Sequence, residues 1–419
     1  MSAGGGPGAD AAAAVSGERL WADLMAMAEI GATPDGGSER LALTDEDRAG
    51  RELFASWARD AGLELRADRA GNLFARRAGH DLGLPAVMTG SHLDTQPNGG
   101  RFDGVFGVLA ALEAVRALAD AGVDAAAPID VVVWANEEGG RFPQFCTGSA
   151  VYAGAATLEE VRALPAFDGA SYGDELDRVG FAGDEEPGSQ PAAAYLELHI
   201  EQGPVLESEG IPLGVVRGIR GIRKFAVELS GREEHAGSPM AGRRDALRAA
   251  ASIVEALGAL GDESGGASVT TGRIDVTPNT PSVVPGGARL LVDVRGAALD
   301  PPDALVSRIR DVVMSTLAGS EVSVEIDDDV WEYGPVAFDE GLLEVLRKAA
   351  GRSGASSLDM VSPAGHDAGY VARRVPTAML FVPCRDGLSH HPAEWAEPEH
   401  LELACRVLAD SLATVGGAQ

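Results

Sequence analysis

A chain of 419 residues, 45% of them hydrophobic, is long enough for two domains and a large core. Its net charge of −30 argues against nucleic acid or anionic membranes as partners, and means that an anionic substrate needs a local cluster of Arg or Lys to hold it. The cysteines, Cys146, Cys384 and Cys405, are too far apart for a disulfide framework or a C-x-x-C metal pair. They fit a reducing, cytoplasmic setting, and no signal peptide or membrane-crossing run is evident.

In chain order, residues 1–16 are Gly/Ala-rich without periodicity and read as a disordered tail. Leu20, Leu24, Met27 and Ile30 then recur at helical spacing, and Thr44 caps a second helix whose first turn is acidic. Two short strands follow around a turn near Gly71. The apolar run Ala86-Val87-Met88 is the start of a buried strand that ends on His92 and Asp94. Asp103-Gly104 then opens a helix over 104–121; on its own, Asp103 is equally well read as a helix cap. A second buried strand from Ile129 ends on Glu137-Glu138, a pair of like charges that a cation would relieve. A third strand-like segment from Ala194 carries His199 at its end, followed by Glu201 and Gln202.

The pattern changes after the Gly-rich stretch 214–221, which reads as a hinge. Residues 217–330 run strand, helix, strand, strand, helix, strand, a ferredoxin-like order, and form an inserted second domain. This insert divides a first domain into residues 17–216 and 331–419. The returning part contains Gly365-His366-Asp367, a strand from Thr377, and the doublet His390-His391 beyond it.

Four apolar strands therefore deliver His92, Glu137-Glu138, His199 and His390-His391 at their ends, with Asp103 just past the first. Ligands of His, Asp and Glu without Cys suit zinc, manganese, cobalt or nickel. Five such ligands exceed one catalytic metal with an open position and fit two metals sharing a carboxylate and a water, roughly 3.5 Å apart. One Glu of the 137–138 pair can take a proton from that water. Cys146 follows at some distance, and a thiol nucleophile has no place in such chemistry. His80 and His400 read as surface residues, and His366 as a residue that orients the loop around Gly365.

The chain resembles the metal-dependent amidases of the peptidase M20 superfamily, and within it the hydantoinase/carbamoylase branch: N-carbamoyl-L-amino-acid hydrolases, β-ureidopropionase and allantoate amidohydrolase. The residues that carry the resemblance are Gly90-Ser-His-Leu-Asp-Thr, Gly99-Gly-Arg-Phe-Asp-Gly, Asn136-Glu-Glu-Gly, Glu197-Leu-His-Ile-Glu-Gln-Gly-Pro, His235-Ala-Gly, Arg243-Arg-Asp-Ala, Ala364-Gly-His-Asp-Ala and Ser389-His. It implies a mixed-sheet α/β metal-binding catalytic domain, with the ferredoxin-like α+β insert as lid and dimerisation domain. It further implies two divalent ions per subunit, zinc foremost, with manganese, cobalt or nickel open. His92, Glu138, His199 and His390 would be ligands, Asp103 the bridge and Glu137 the general base, with the Asp94 carboxylate orienting His92. His235 would reach the site of the partner subunit of a homodimer and stabilise an oxyanion. Gln202, Arg295 and the backbone at Gly365 would contact a small anionic ureido substrate.

The sequence departs from the family in three places. Ser282-Val-Val-Pro-Gly stands where the family has an Asn that touches substrate, with Asn279 nearby but out of register. His235-Ala-Gly-Ser-Pro-Met is one residue short. The doublet leaves His390 or His391 as the ligand, the spacing to Glu394 favouring His390. The function implied is hydrolysis of a ureido C–N bond; the rival readings are an N-acyl-amino-acid deacylase or aminopeptidase of the same superfamily, and a metal-binding protein without catalysis.

Overall fold

The computed structural model describes residues 6–418, apart from the side chains of residues 328 and 329. The chain divides into two compact units, Met1–Gly218 with Phe338–Gln419, and Ile219–Ala337.

In the larger unit the strands lie in the order Glu64–Ala67, Leu73–Arg77, Ile129–Trp134, Ala86–His92, Ala192–Ile200, Thr377–Val382 and Leu213–Ile219, with Ser357–Ser362 also paired to the last. Ile129–Trp134, Ala86–His92, Ala192–Ile200 and Thr377–Val382 run parallel to their neighbours within this group, whereas Glu64–Ala67 with Leu73–Arg77, Leu73–Arg77 with Ile129–Trp134, and Thr377–Val382 with Leu213–Ile219 are antiparallel. Ala86–His92, Ile129–Trp134 and Thr377–Val382 are buried along their whole length, as strands covered on both faces must be. The helix Val105–Asp120 is apolar almost all round and packs against Ala86–His92, Ala192–Ile200 and the helix Pro398–Val415. Its one buried charge, Glu113, is matched by Arg19 at 2.6 Å and by the Ser16 N–H at 2.7 Å.

The expected tail is in part a helix. Pro7–Ala13 starts on a proline at its first turn, uses the high helix propensity of alanine, and lies against Pro398–Val415 with Ala11 buried. Small side chains let the two helices approach without an obvious apolar stripe, which is why the run lacked periodicity; residues 1–5 lie outside the described part.

The smaller unit has an antiparallel sheet in the order Ser323–Tyr333, Ile222–Ser230, Gly287–Arg295, Ser268–Thr277. Helices Ala246–Asp262 and Asp303–Thr316 cover it, burying Ile253, Leu257, Ile309 and Val313 against Phe225, Val227, Leu290 and Val292. Trp331, Glu332 and Tyr333, which the sequence reading put after the insert, pair with Lys224, Arg223 and Ile222 as the end of its edge strand.

Arg51 and Asp47, one turn apart on the helix Asp45–Asp60, form a fully buried ion pair at 3.0 Å, and Arg51 also donates to the Gly71 carbonyl at 2.8 Å. Removing one member leaves an uncompensated charge in the core, so Arg51→Ala should destabilise the larger unit by about 3–5 kcal/mol. The exposed pair Arg48–Glu52 on the same helix, at 2.8 Å, is the control, and Arg48→Ala should cost no more than about 0.5 kcal/mol. Urea titration of both variants, followed by tryptophan fluorescence, checks the difference.

Candidate metal centre

Parallel strands end on the same edge of their sheet, where open α/β folds place ligands. His92 is the last residue of Ala86–His92, His199 the penultimate of Ala192–Ile200, and Glu137-Glu138 and His390 follow Ile129–Trp134 and Thr377–Val382. Asp103 does not cap the helix that follows it. The cap residue is Gly104, at φ 66°, and a Cβ there would lie 2.2 Å from the His92 ring. Glycine lets the helix start directly against the imidazole and frees the Asp103 carboxylate to turn inward.

Asp103 lies at the centre of the cluster. Its Oδ1 is 3.7 Å from His92 Nε2 and 3.2 Å from His199 Nε2, while Oδ2 is 3.2 Å from His390 Nε2. His390 Nε2 is in turn 3.2 Å from Glu138 Oε2. His92, Asp103 and His199 form one group of converging donor atoms, and Asp103, Glu138 and His390 another, so the two groups share a single carboxylate. His92 and His199 each place Nδ1 at 2.9 Å from a main-chain carbonyl, of Asp94 and Ile200, which fixes the proton on Nδ1 and turns the Nε2 lone pair to the cluster. His391 instead takes the Ala393 N–H on Nδ1 within its own loop. The donors are nitrogen and oxygen only, and the three carboxylates need positive charge beside them, so these residues fit divalent cations. A third group, Glu197, His199 and His366, is already engaged: Glu197 accepts from Ser91, Tyr195 and the Ala368 N–H, and His366 Nε2 meets Ser362 Oγ.

Asp94 acts differently from the expectation. Its carboxylate is 3.9 Å from His92 Nδ1, and it is the main-chain oxygen that makes the close contact. The carboxylate instead accepts from the Glu137 N–H at 3.2 Å and the Glu138 N–H at 3.1 Å, and burial pushes its pKa up to about 7. Two amides turned inward by the left-handed Asn136, at φ 50°, attract the carboxylate more strongly than one ring N–H.

Glu137 is buried, and burial together with Asp367, Glu138 and Asp103 raises its carboxyl well above the usual range. Its Oε2 lies 3.5 Å from His92 Nε2 and its Oε1 3.1 Å from Cys146 Sγ. Gln202 donates to Asp103 Oδ2 at 2.7 Å, and Ser389 does so at 2.6 Å. Glu394 accepts from the Phe102 and Asp103 amides, and its Oε2 lies 3.0 Å from Ser389 Oγ. Cys146, Asp367 and Ser389 carried no sequence signal for this place beyond lying within or near motifs. At Gly365 a Cβ would come within 2.7 Å of the Phe145 ring.

The remaining expected substrate contacts lie in the smaller unit. His235 pairs with Val283, and the Ala236 N–H donates to the Ser282 carbonyl at 3.0 Å, so His235 and Ser282 are neighbours. Asn279 is exposed nearby in sequence. Arg295 ends the strand Gly287–Arg295, beside Ile222, with Nε 2.9 Å from Asp293. The strand's length separates it from Gly287, at the end nearer Ser282 in the chain, by roughly 25 Å at ~3.3 Å per residue. The unit thus groups His235 with Ser282 and sets Arg295 at its other end.

Residues 88–414 match the model of peptidase family M20/M25/M40. An N-carbamoyl-L-amino-acid amidohydrolase of Rhizobium meliloti is 44% identical over 91% of this chain and 92% of its own length. The allantoate amidohydrolase of Escherichia coli K12 is 37% identical over 91% and 94%. Among solved structures, a hydantoinase/carbamoylase-family amidase from Burkholderia multivorans superposes with a TM-score of 0.87 at 45% identity, covering 96% of this chain and 98% of that one.

The acids of the cluster also draw protons onto the rings. Burial works against it, but the Asp103 hydrogen bond raises His199 to about 9, and hydrogen bonds to Asp103 and Glu138 raise His390 to about 11. Ligation must displace those protons. Metal uptake at pH 7 should release protons, and affinity should weaken as pH falls and strengthen as it rises through 9 and on toward 11. Calorimetric titration with Mn or Zn in buffers of different ionisation enthalpy measures this; uptake without proton release would show that the rings are not ligands.

Proposed function

The chain belongs to peptidase family M20/M25/M40, and on that footing we propose that it hydrolyses the ureido C–N bond of a small carboxylate substrate, an N-carbamoyl-L-amino acid or allantoate, releasing ammonia and carbon dioxide. The observation that supports this best is the Asp103 carboxylate, with one oxygen turned to each of two donor groups and Glu137 beside them. His92, His199 and Asp103 would hold one divalent ion and Glu138, His390 and Asp103 a second, zinc foremost, with manganese, cobalt or nickel as alternatives. When bound, such ions polarise a carbonyl and make a coordinated water acidic. Glu137 accepts the proton of the attacking water on Oε2 and returns it to the departing nitrogen. Asp94 keeps the 137–138 backbone in place, so that base and ligand hold a fixed spacing. Arg295 anchors the substrate carboxylate through its planar fork, while Gln202 and the Gly365 loop complete the recognition.

His235 and Ser282 belong to the other end of the insert from Arg295 and from the strand ends Ile222 and Tyr333. That separation supports the reading that Arg295 serves its own chain and His235 the partner's, in a two-fold homodimer formed through the insert.

A panel of N-carbamoyl amino acids, allantoate, N-acetyl amino acids and dipeptides, assayed for ammonia with each metal, tests the substrate class; ammonia-free cleavage of the acetyl compounds alone would make the protein a deacylase. Glu137→Gln should retain its metal content and lose turnover by about 10²–10⁴-fold, the range for a general base. Metal analysis alongside kinetics checks it, and near-normal turnover would take the base role from Glu137. His235→Ala and Glu137→Gln should each be nearly inactive. After dissociation and remixing, about half the dimers are mixed and each has one intact site, so recovery should approach roughly a quarter of wild type. Purified mixed dimers as inactive as the parents would place His235 in cis or outside the reaction.

A further inference from the structure

The backbone around Glu137 is fixed from three sides. The Asp94 carboxylate holds the 137 and 138 amides, and the Glu137 carbonyl accepts the Cys146 N–H at 2.8 Å. The next amides continue the pairing: Thr147 N–H to the Asn136 carbonyl at 3.0 Å and Gly148 N–H to the Ala135 carbonyl at 2.8 Å. What this leaves free is rotation of the Glu137 carboxylate about its last bond, a soft, two-fold torsion. Like charge on Asp367, Glu138 and Asp103 pushes on that group. A contact to one oxygen fixes the plane of the carboxylate, and with it the direction in which the other oxygen points.

We infer that Cys146 is a positioning residue for Glu137: its S–H holds Oε1, so that Oε2 is the oxygen turned toward His92 and the donor cluster. The distances are 3.1 Å from Sγ to Oε1 and 3.5 Å from Oε2 to His92 Nε2. The inference rests on the reading of Glu137 as the general base.

Cys146 is placed for this task and for little else. It is fully buried and takes the left-handed backbone conformation, φ 51°, immediately before the helix Thr147–Ala153. A non-glycine residue is uncommon there, and such outliers gather at functional sites. Its carbonyl is also occupied, accepting from Ala150 N–H at 2.9 Å and Ser149 Oγ at 3.1 Å. A residue fastened at N–H, carbonyl and side chain cannot drift, so its thiol is a fixed reference for the carboxylate. Burial, reinforced by Glu137, keeps the thiol protonated and hence a donor; it is neither exposed nor ionised enough to attack a substrate.

The test uses the metal-loaded enzyme and four variants: C146A, C146S, E137Q and the C146A/E137Q double mutant, each with kcat, KM, metal content and melting temperature measured. C146A should lower kcat by about five- to tenfold, the effect of one ordinary hydrogen bond, as suits a weak thiol donor, with KM and metal content unchanged. C146S, which restores a donor of similar size, should bring kcat back to within about twofold of wild type, whatever its melting temperature. In the E137Q background, C146A should change the residual rate by less than about twofold, because the two residues act as one unit. Wild-type kcat in C146A, or an equal loss in C146A and C146S that persists in the E137Q background, makes Cys146 a space filler and overturns the inference. Normal turnover in E137Q would instead remove the base itself, and the two failures are told apart by that variant alone.

Discussion

Carboxylates drawn out of water must be compensated by positive charge close at hand, and this constraint shapes the larger unit. Asp103, Glu137 and Asp94 are buried at one edge of the sheet, with Glu138 beside them. Histidines supply the compensation because an imidazole can carry a proton or give a lone pair to a cation. Asp103 sits below the usual carboxylate range despite its burial because His199 and His390 hydrogen-bond to it, whereas Glu137, lacking a cationic partner, is driven the other way. Two neighbouring carboxylates in one cavity thus have opposite tendencies, set by what faces them. The parallel strand order makes this concentration possible, since it brings the ends of sequence-distant strands to one edge while the backbone satisfies itself in the ladder.

The support is graded. His92 and His199 are oriented by main-chain carbonyls, which no substitution removes. The Glu137-Glu138 backbone is oriented by one side chain, Asp94. The Asp103 backbone is gripped from outside by Glu394, and its carboxylate by Ser389 and Gln202. Sensitivity to mutation therefore rises from the histidines to the carboxylates.

Much of this was legible in the sequence, for a physical reason. A buried parallel strand is a continuous apolar run, so a His or a pair of Glu at its end stands out, and His92, Glu137-Glu138 and His199 were found that way. The ferredoxin-like order of the insert was legible from alternation and helical periodicity. What stayed hidden was which atom of a residue makes a contact. Asp94 was expected to use its carboxylate on His92 and uses its carbonyl, because the carboxylate has two better donors. Cys146 was set aside as chemically unnecessary; its contact with Glu137 depends on a loop that returns nine residues later, which no local pattern encodes. Pro7–Ala13 reads as a tail because alanine packs by closeness and leaves no stripe, and Trp331–Tyr333 reads as a boundary although the edge strand runs through it.

The order in which the chain is made bears on the shared carboxylate. Asp103, Glu137, Glu138 and His199 precede the insert, and His390 follows it. At ~5–20 residues per second, the interval between synthesis of His199 and His390 is roughly ten to forty seconds. During that time the nascent chain carries three closely spaced acids with one of their imidazole partners still to come. The four-stranded insert can settle on its own core in that interval. The acidic edge therefore closes last, when the strand Thr377–Val382 docks beside Ala192–Ile200 and brings the final ring with it. A chain stopped between His199 and that strand has one donor group and two of the three residues of the other.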